Sequence, residues 1–511
     1  MPSETPPTAG AATAGDRGRA RRRRRLAAGV GAAALLALLA PWPEPRAPRP
    51  AEGTPFVWNQ DERWQALEAS FRRARTLGCT SLAAPIDAML AAGRRQVGEM
   101  ASRRLDLVDP LIDDVERMTF ELGPMIAACP ARVPEYVELV AGMRSAVKAQ
   151  SRRWDMTSRP TRDVLYRLLY GGRAAVEEAM LQAPPGSLPE MVRGDDEPSG
   201  TPAAEILGVR IHSGDILVSR GGAPTSALIA RGNDYPGNFS HVALVYVDGR
   251  SRAASVVEAH IERGVAVASL PEYLADVKLR VMVLRLRADL PPLVADPLLP
   301  HRAASFAFEQ ARARHIPYDF AMDTADHSRL FCSEVASAAY ARVGVTLWMG
   351  LSHISSPGLA AWLAGFGVRH FETQEPSDLE VDPQLTVVAE WRDFATLRAD
   401  HLDNAVVDAM LEGAEGGEEL PASWYLLPVA RLAKLASSLL NAAGRVGPVP
   451  EGLSARGALR STGFTRLHRQ IRDRLVRLAS AFERTNGYFP PYWQLVALAR
   501  TARAEVEGSR P

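Results

Sequence analysis

Cys332 stands where a polar turn gives way to a helical pattern, in SRLFCSEVASAAY (328–340). The first turn of a helix presents unpaired backbone N–H groups. These favour a thiolate, so the position predicts a thiol pKa below the usual value of about 8.5. A thiol nucleophile also needs a base, and the base needs something to orient it. Upstream, SHVALVYV and SVVEAH flank DGRSRAA in a strand–turn–strand pattern. A turn centred between Gly249 and Arg250 sets His241 opposite Glu258, and residues so paired share a face with Cβ atoms about 5 Å apart. A carboxylate there accepts from one imidazole nitrogen and leaves the other for a thiol. His260 shares the face of Glu258 and is the rival auxiliary group. Tyr318, in HIPYDF, can donate its hydroxyl to an oxyanion, while Asp319 beside it reads as a turn residue. Taken singly, each residue has a plainer reading, with Cys332 as a small core hydrophobe, His241 as structural and Glu258 as a solvated strand residue. Taken together they are the nucleophile, base and orienting group of acyl transfer through a thioester.

The elements that must hold these groups are legible around them. GDILVSR, HVALVYV, SVVEAHI, GVAVASL and LRVMVLRL are short β-branched runs bounded by Gly, Asp and Pro. Helical patterns interrupt them at 224–231 and 302–314 and follow at 358–365, and VVAEWRD closes the set. This predicts an α+β domain over 204–395. Apolar residues at three and four spacing predict a helical region over 56–183, with Pro85, Pro110, Pro124, Pro130 and Pro134 at its turns. Residues 184–203 read as a linker, and a C-terminal helical region fills 396–511.

The chain has 511 residues, 47% hydrophobic, enough for a sizeable core, and a net charge of +1. Seven arginines in the first 25 residues stand against Glu4 and Asp16, so the body is mildly acidic and no nucleic-acid partner is expected. The basic run leads into LAAGVGAAALLALLA (26–40), short for a membrane span of about 20 residues but suited to an export signal. Residues 1–55 thus read as a basic N-terminus, a signal or retained anchor, and a Pro-rich linker. In an oxidising compartment Cys79 and Cys129 can pair and leave Cys332 as the odd thiol; the alternative is three unrelated reduced cysteines. No His-x₃-His or Cys-x₂-Cys pair suggests a metal, and no glycine loop suggests a nucleotide, so no cofactor is expected.

GDILVSR, FSHVALVYVD, VVEAHIERGV, PYDF and LFCSEVASAAY, in this order, resemble the permuted papain-like amidase family, YiiX/YebB-like and related to NlpC/P60 hydrolases. PSDLEVDPQLTVVAEW resembles it as well, and the resemblance covers about residues 205–395. It implies a circularly permuted papain-like fold, with His-bearing strands ahead of the Cys-bearing helix. It places the nucleophile on Cys332, the base on His241 and the acidic third member on Glu258. The expected protein is a cysteine hydrolase of the bacterial cell envelope, exported or anchored through residues 26–40, acting on an amide bond. Peptide, peptidoglycan and acyl-amide substrates fit this reading. The competing readings are a lipid acyl hydrolase or acyltransferase, and a non-catalytic envelope binding or scaffold protein.

Overall fold

The computed structural model describes residues 22, 25–26, 29–32, 48–57 and 62–508. Most of the basic run and of the apolar stretch 26–40, with the signal or anchor read there, lies outside the described residues. Among the described residues no helix is long and apolar enough to cross a membrane.

The β-branched runs form strands where their pattern places them. The strands are β1 (Met191–Arg193), β2 (Ala203–Ile206), β3 (Val209–His212), β4 (Ile216–Gly221), β5 (His241–Val247), β6 (Ala254–His260), β7 (Gly264–Ser269), β8 (Lys278–Leu286), β9 (Ser352–His353), β10 (Glu372–Thr373) and β11 (Leu385–Trp391). Seven of them make one antiparallel sheet in the order β1-β11-β8-β4-β5-β6-β7. β1 arises inside the stretch read as a linker, where Met191, Val192 and Arg193 pair with the open edge of β11.

Both faces of the sheet are covered, which is why β5 and β8 read as nearly continuous apolar runs. On one face Val242, Leu244, Val257 and Met282 pack beneath helices Leu299–Ala313 and Cys332–Ala341. On the other, Ala243, Val245, Val256 and Val283 meet the β2–β3 hairpin and Tyr273. This is the α+β arrangement expected above, with helices flanking it.

The β5–β6 register differs from the expected one. Ala243 pairs with Glu258 and Val247 with Ala254, so Glu258 stands opposite Ala243 rather than His241. The turn is the cause. Asp248 Oδ1 accepts from the N–H groups of Arg250 and Ser251 at 3.1 and 2.7 Å, and Arg252 takes a left-handed φ of 61°. That draws the turn centre one residue along and shifts each pair by two. An even shift keeps every side chain on its face, so His241 and Glu258 become diagonal neighbours.

The flanking helices are welded to the sheet by buried charge. Arg173 grips Glu380 at 2.9 and 2.7 Å, and Arg144 pairs with Glu390 on β11. Glu177 receives Arg280 of β8 at 2.6 Å and Arg392 at 2.8 Å. Asp400, on helix Phe394–Glu415, meets Arg280 at 2.5 Å and Arg220 of β4 at 3.1 Å. Cys79 and Cys129 form a disulfide with Cα atoms 5.3 Å apart, joining the start of helix Cys79–Ser102 to the end of helix Pro110–Ala128.

Candidate active site

Cys332 is the first residue of helix Cys332–Ala341, and its thiol is free and buried. Glu334 reaches back to the Phe331 N–H at 3.0 Å and so ties off one of the helix's unpaired donors. Burial pushes the Glu334 carboxyl up to about 8. The backbone N–H groups of Val242, on β5, and of Ser333 lie near the Cys332 sulfur and act to lower its pKa. Those donors and the helix start favour a thiolate, as expected, but burial outweighs them and pushes the thiol up to about 12. The expectation of a depressed thiol pKa is therefore overturned: at 6% exposure, loss of hydration is the larger effect.

His241 is the first residue of β5, next to the Val242 whose N–H faces the sulfur. Its Nε2 lies 2.7 Å from Glu258 Oε2. His260 Nε2 lies 3.1 Å from the other oxygen, Oε1, and the two imidazole rings are 5.5 Å apart. One buried carboxylate thus hydrogen-bonds one imidazole and stands within ion-pair distance of a second. Burial raises the Glu258 pKa, but the hydrogen bonds and charge of His241 and His260 outweigh it and hold the carboxyl well below its usual range. With Nε2 engaged, Nδ1 is the His241 nitrogen left to take a proton.

Tyr318 is strapped alongside the helix start. It bridges to Leu330, and Leu330 N–H donates to Pro317 at 3.1 Å. Its hydroxyl is pushed well up by burial and then by the nearby Cys332 and Glu262. Asp319 is the turn residue it reads as, accepting from the N–H groups of Ala321 and Asp323 at 2.9 and 2.6 Å. Gly264 makes this strap possible. Its φ is +72°, and a Cβ there would lie 2.2 Å from the Ile316 carbonyl oxygen, which accepts from Val265 N–H.

Reading the sequence missed Glu375, in QEPSD. It is 3% exposed, burial pushes its carboxyl well up, and its proximity raises both Cys332 and Tyr318. Nothing in its local sequence marks it, because it arrives from a loop 43 positions after the cysteine. Among the described residues no group of three or more His, Cys, Asp or Glu is arranged to hold a metal ion.

A thiol at a helix start, packed on an antiparallel sheet whose next strands carry a His–Glu pair, defines the papain-like class of cysteine hydrolase. Residues 210–389 match the family of permuted papain-like amidase enzymes, YaeF/YiiX, C92. The match covers that segment of the chain and indicates a cysteine hydrolase. No curated protein matches the chain.

Proposed function

We propose that the chain cleaves an amide bond outside the cytoplasm, with Cys332 as nucleophile, His241 as base and Glu258 as the group that orients the base. The observation that carries this reading is the 2.7 Å contact between Glu258 and His241 Nε2, one residue along β5 from the Val242 N–H that meets the thiol. Because the thiol is pushed up to about 12, it does not rest as a thiolate. His241 Nδ1 takes its proton as sulfur attacks the carbonyl carbon, in the manner of general-base catalysis. The new C–S bond gives a tetrahedral oxyanion, and the Ser333 N–H at the helix start and the Tyr318 hydroxyl are its donors. Collapse breaks the C–N bond, and the imidazolium gives its proton to the departing amine. Water, deprotonated by the same imidazole, then attacks the thioester carbonyl and releases the acid and the free thiol. The Cys79–Cys129 disulfide and the basic-then-apolar N-terminus support export. A cell-envelope acyl-amide or peptide is the substrate class that fits.

Hydrolysis of a water-soluble acyl-amide and of its thioester analogue tests this. Cys332→Ala should abolish turnover, and the thioester substrate should leave an acyl mass on wild-type Cys332 alone. Glu258→Gln should lower kcat by about 10²-fold or more at nearly unchanged melting temperature, and His260→Ala by much less. Full activity in Cys332→Ala would overturn the reading. A collapse in His260→Ala with none in Glu258→Gln would move the orienting role to His260.

A further inference from the structure

The loop 374–377 is tied to both halves of the candidate active site. At one end Ser337 Oγ, on the Cys332 helix, donates to Gln374 Oε1 at 2.7 Å. At the other, Ser377 Oγ accepts from Phe239 N–H at 3.0 Å, two residues ahead of His241, and donates to the Phe239 carbonyl at 3.3 Å. Gly237 lies so close to this tie that a Cβ there would fall 2.1 Å from the same hydroxyl oxygen. Between the two ties sits Glu375. Its N–H donates to Asp378 Oδ2 at 3.1 Å, and its carbonyl accepts from Trp348 Nε1 at 2.9 Å. Asp378 is held in turn by Arg162 and by Ser352 Oγ, the latter at 2.7 Å. The backbone of Glu375 is therefore fixed at both its N–H and its carbonyl, and its carboxyl takes no part in holding the loop.

Glu375 is buried, and its Oε2 is shut off from water with no hydrogen-bond partner. Among the described residues no Lys, Arg or His pairs with it. An ionised carboxylate buried without a partner is too costly to persist, so the group holds its proton. Burial pushes its pKa well above the usual value, and the charge of Asp378 pushes the same way. A protonated carboxyl is an O–H donor, and this one has nothing in the fold to donate to. A buried polar group left in that state costs stability and calls for a functional reason. What Glu375 faces is the site itself, because it acts electrostatically on both Cys332 and Tyr318.

We infer that Glu375, held between the helix of Cys332 and the strand of His241, donates a hydrogen bond from its protonated carboxyl to the oxyanion formed at Cys332. It joins the Ser333 N–H and the Tyr318 hydroxyl as a third donor, a catalytic residue whose proton is shared and not transferred. This role rests on the proposed hydrolase reading. Charge gives it its sign. A carboxylate at this place would oppose the thiolate and the oxyanion alike, whereas a neutral O–H stabilises the negative charge that develops. The titratable groups facing Glu375 are Cys332 on its helix, Tyr318 on the strap, and Asp378, which Arg162 neutralises. Loss of the Glu375 proton in alkali would thus remove a donor and add a like charge beside the thiol.

The test uses the full chain with the water-soluble acyl-amide and its thioester analogue. Glu375→Leu fills the same space and offers no donor. It should lower kcat by about 10²-fold, with KM little changed and a melting temperature at or above that of wild type. Should the leucine variant not fold, Glu375→Ala takes its place. Glu375→Gln keeps the shape and a neutral N–H donor, so its kcat should stay within about threefold of wild type. Its activity should also persist further into alkali. Full activity in Glu375→Leu would overturn the inference. So would a 10²-fold loss in a folded Glu375→Gln, since the carboxyl would then be giving up its proton. Iodoacetamide labelling of Cys332 reads the same charge without any turnover. Rates at pH 7 should match in wild type and Glu375→Gln. A rate about tenfold faster in the variant would reveal a carboxylate beside the thiol and overturn the donor role. Absence of wild-type turnover on both substrates would instead count against the hydrolase reading, while the labelling rates would still decide whether Glu375 is neutral.

Discussion

At the scale of single residues, Cys332 is governed by two opposed effects, and their sizes decide its chemistry. The helix start and the Val242 N–H pull its pKa down, while burial pushes it up to about 12. Between 12 and the ordinary value of about 8.5, the thiolate fraction at neutral pH falls roughly 10³-fold. Alkylation of native Cys332 by iodoacetamide should therefore be slow at pH 7 and rise about tenfold per pH unit up to pH 10. His241→Ala should leave that rate nearly unchanged, because the imidazole acts during attack and not before it. Rapid labelling at pH 7 that disappears in His241→Ala would show a resident thiolate–imidazolium pair instead. A sequence displays the helix start but not the depth of burial, so it gives one of these effects and hides the other. Glu375 was hidden for the same reason, since its influence on Cys332 comes from the fold and not from its neighbours in the chain.

At the scale of elements, the hairpin and the Tyr318 strap position the site. The two strands were legible from their β-branched runs, and so was the face shared by His241 and Glu258. The pairing was not, because the Asp248 side chain sets the turn and its hydrogen bonds leave no trace in the apolar pattern. The contact survived the two-residue error only because the pleat has a period of two. The strap gives a sharper test. Gly264→Ala meets both a left-handed φ of +72° and the Ile316 carbonyl at 2.2 Å, whereas Gly208→Ala meets a similar φ of +73° in open space. Both should pay the strain of a left-handed alanine, about 1–2 kcal/mol. Gly264→Ala should lose clearly more stability than Gly208→Ala, and it should also lower kcat by shifting Tyr318. Denaturant melts and turnover of the two variants, compared side by side, decide it; equal losses in both would show that the strap yields without cost.

At the scale of the whole molecule, the catalytic-type sheet and its helical flanks share one buried ionic seam. The helical patterns outside the family segment were legible, but their bond to the sheet was not. It is made by arginines and carboxylates hundreds of positions apart, such as Arg173 with Glu380 and Glu177 with Arg392. Glu177 is its hub, 1% exposed and facing Arg173, Arg280 and Arg392. Burial alone would raise its pKa, but the three guanidinium groups outweigh burial and drive it far below the usual carboxylate range. A depressed folded pKa gives stability that is present above the unfolded value of about 4.3 and lost as pH falls below it. Wild type should therefore lose stability progressively from about pH 4.5 downward. Glu177→Gln removes the charge and leaves three buried cations short of a partner, a change expected to cost about 3–5 kcal/mol at pH 7. The same variant should show a flatter pH dependence in acid, because its hub no longer titrates. Since the seam joins both flanks to β8 and β11, circular dichroism and tryptophan fluorescence should report one shared unfolding midpoint in wild type. A Glu177→Gln protein as stable as wild type, or a wild type whose helical and sheet signals melt separately, would show that the flanks are held by their apolar contacts and that the ionic seam is incidental.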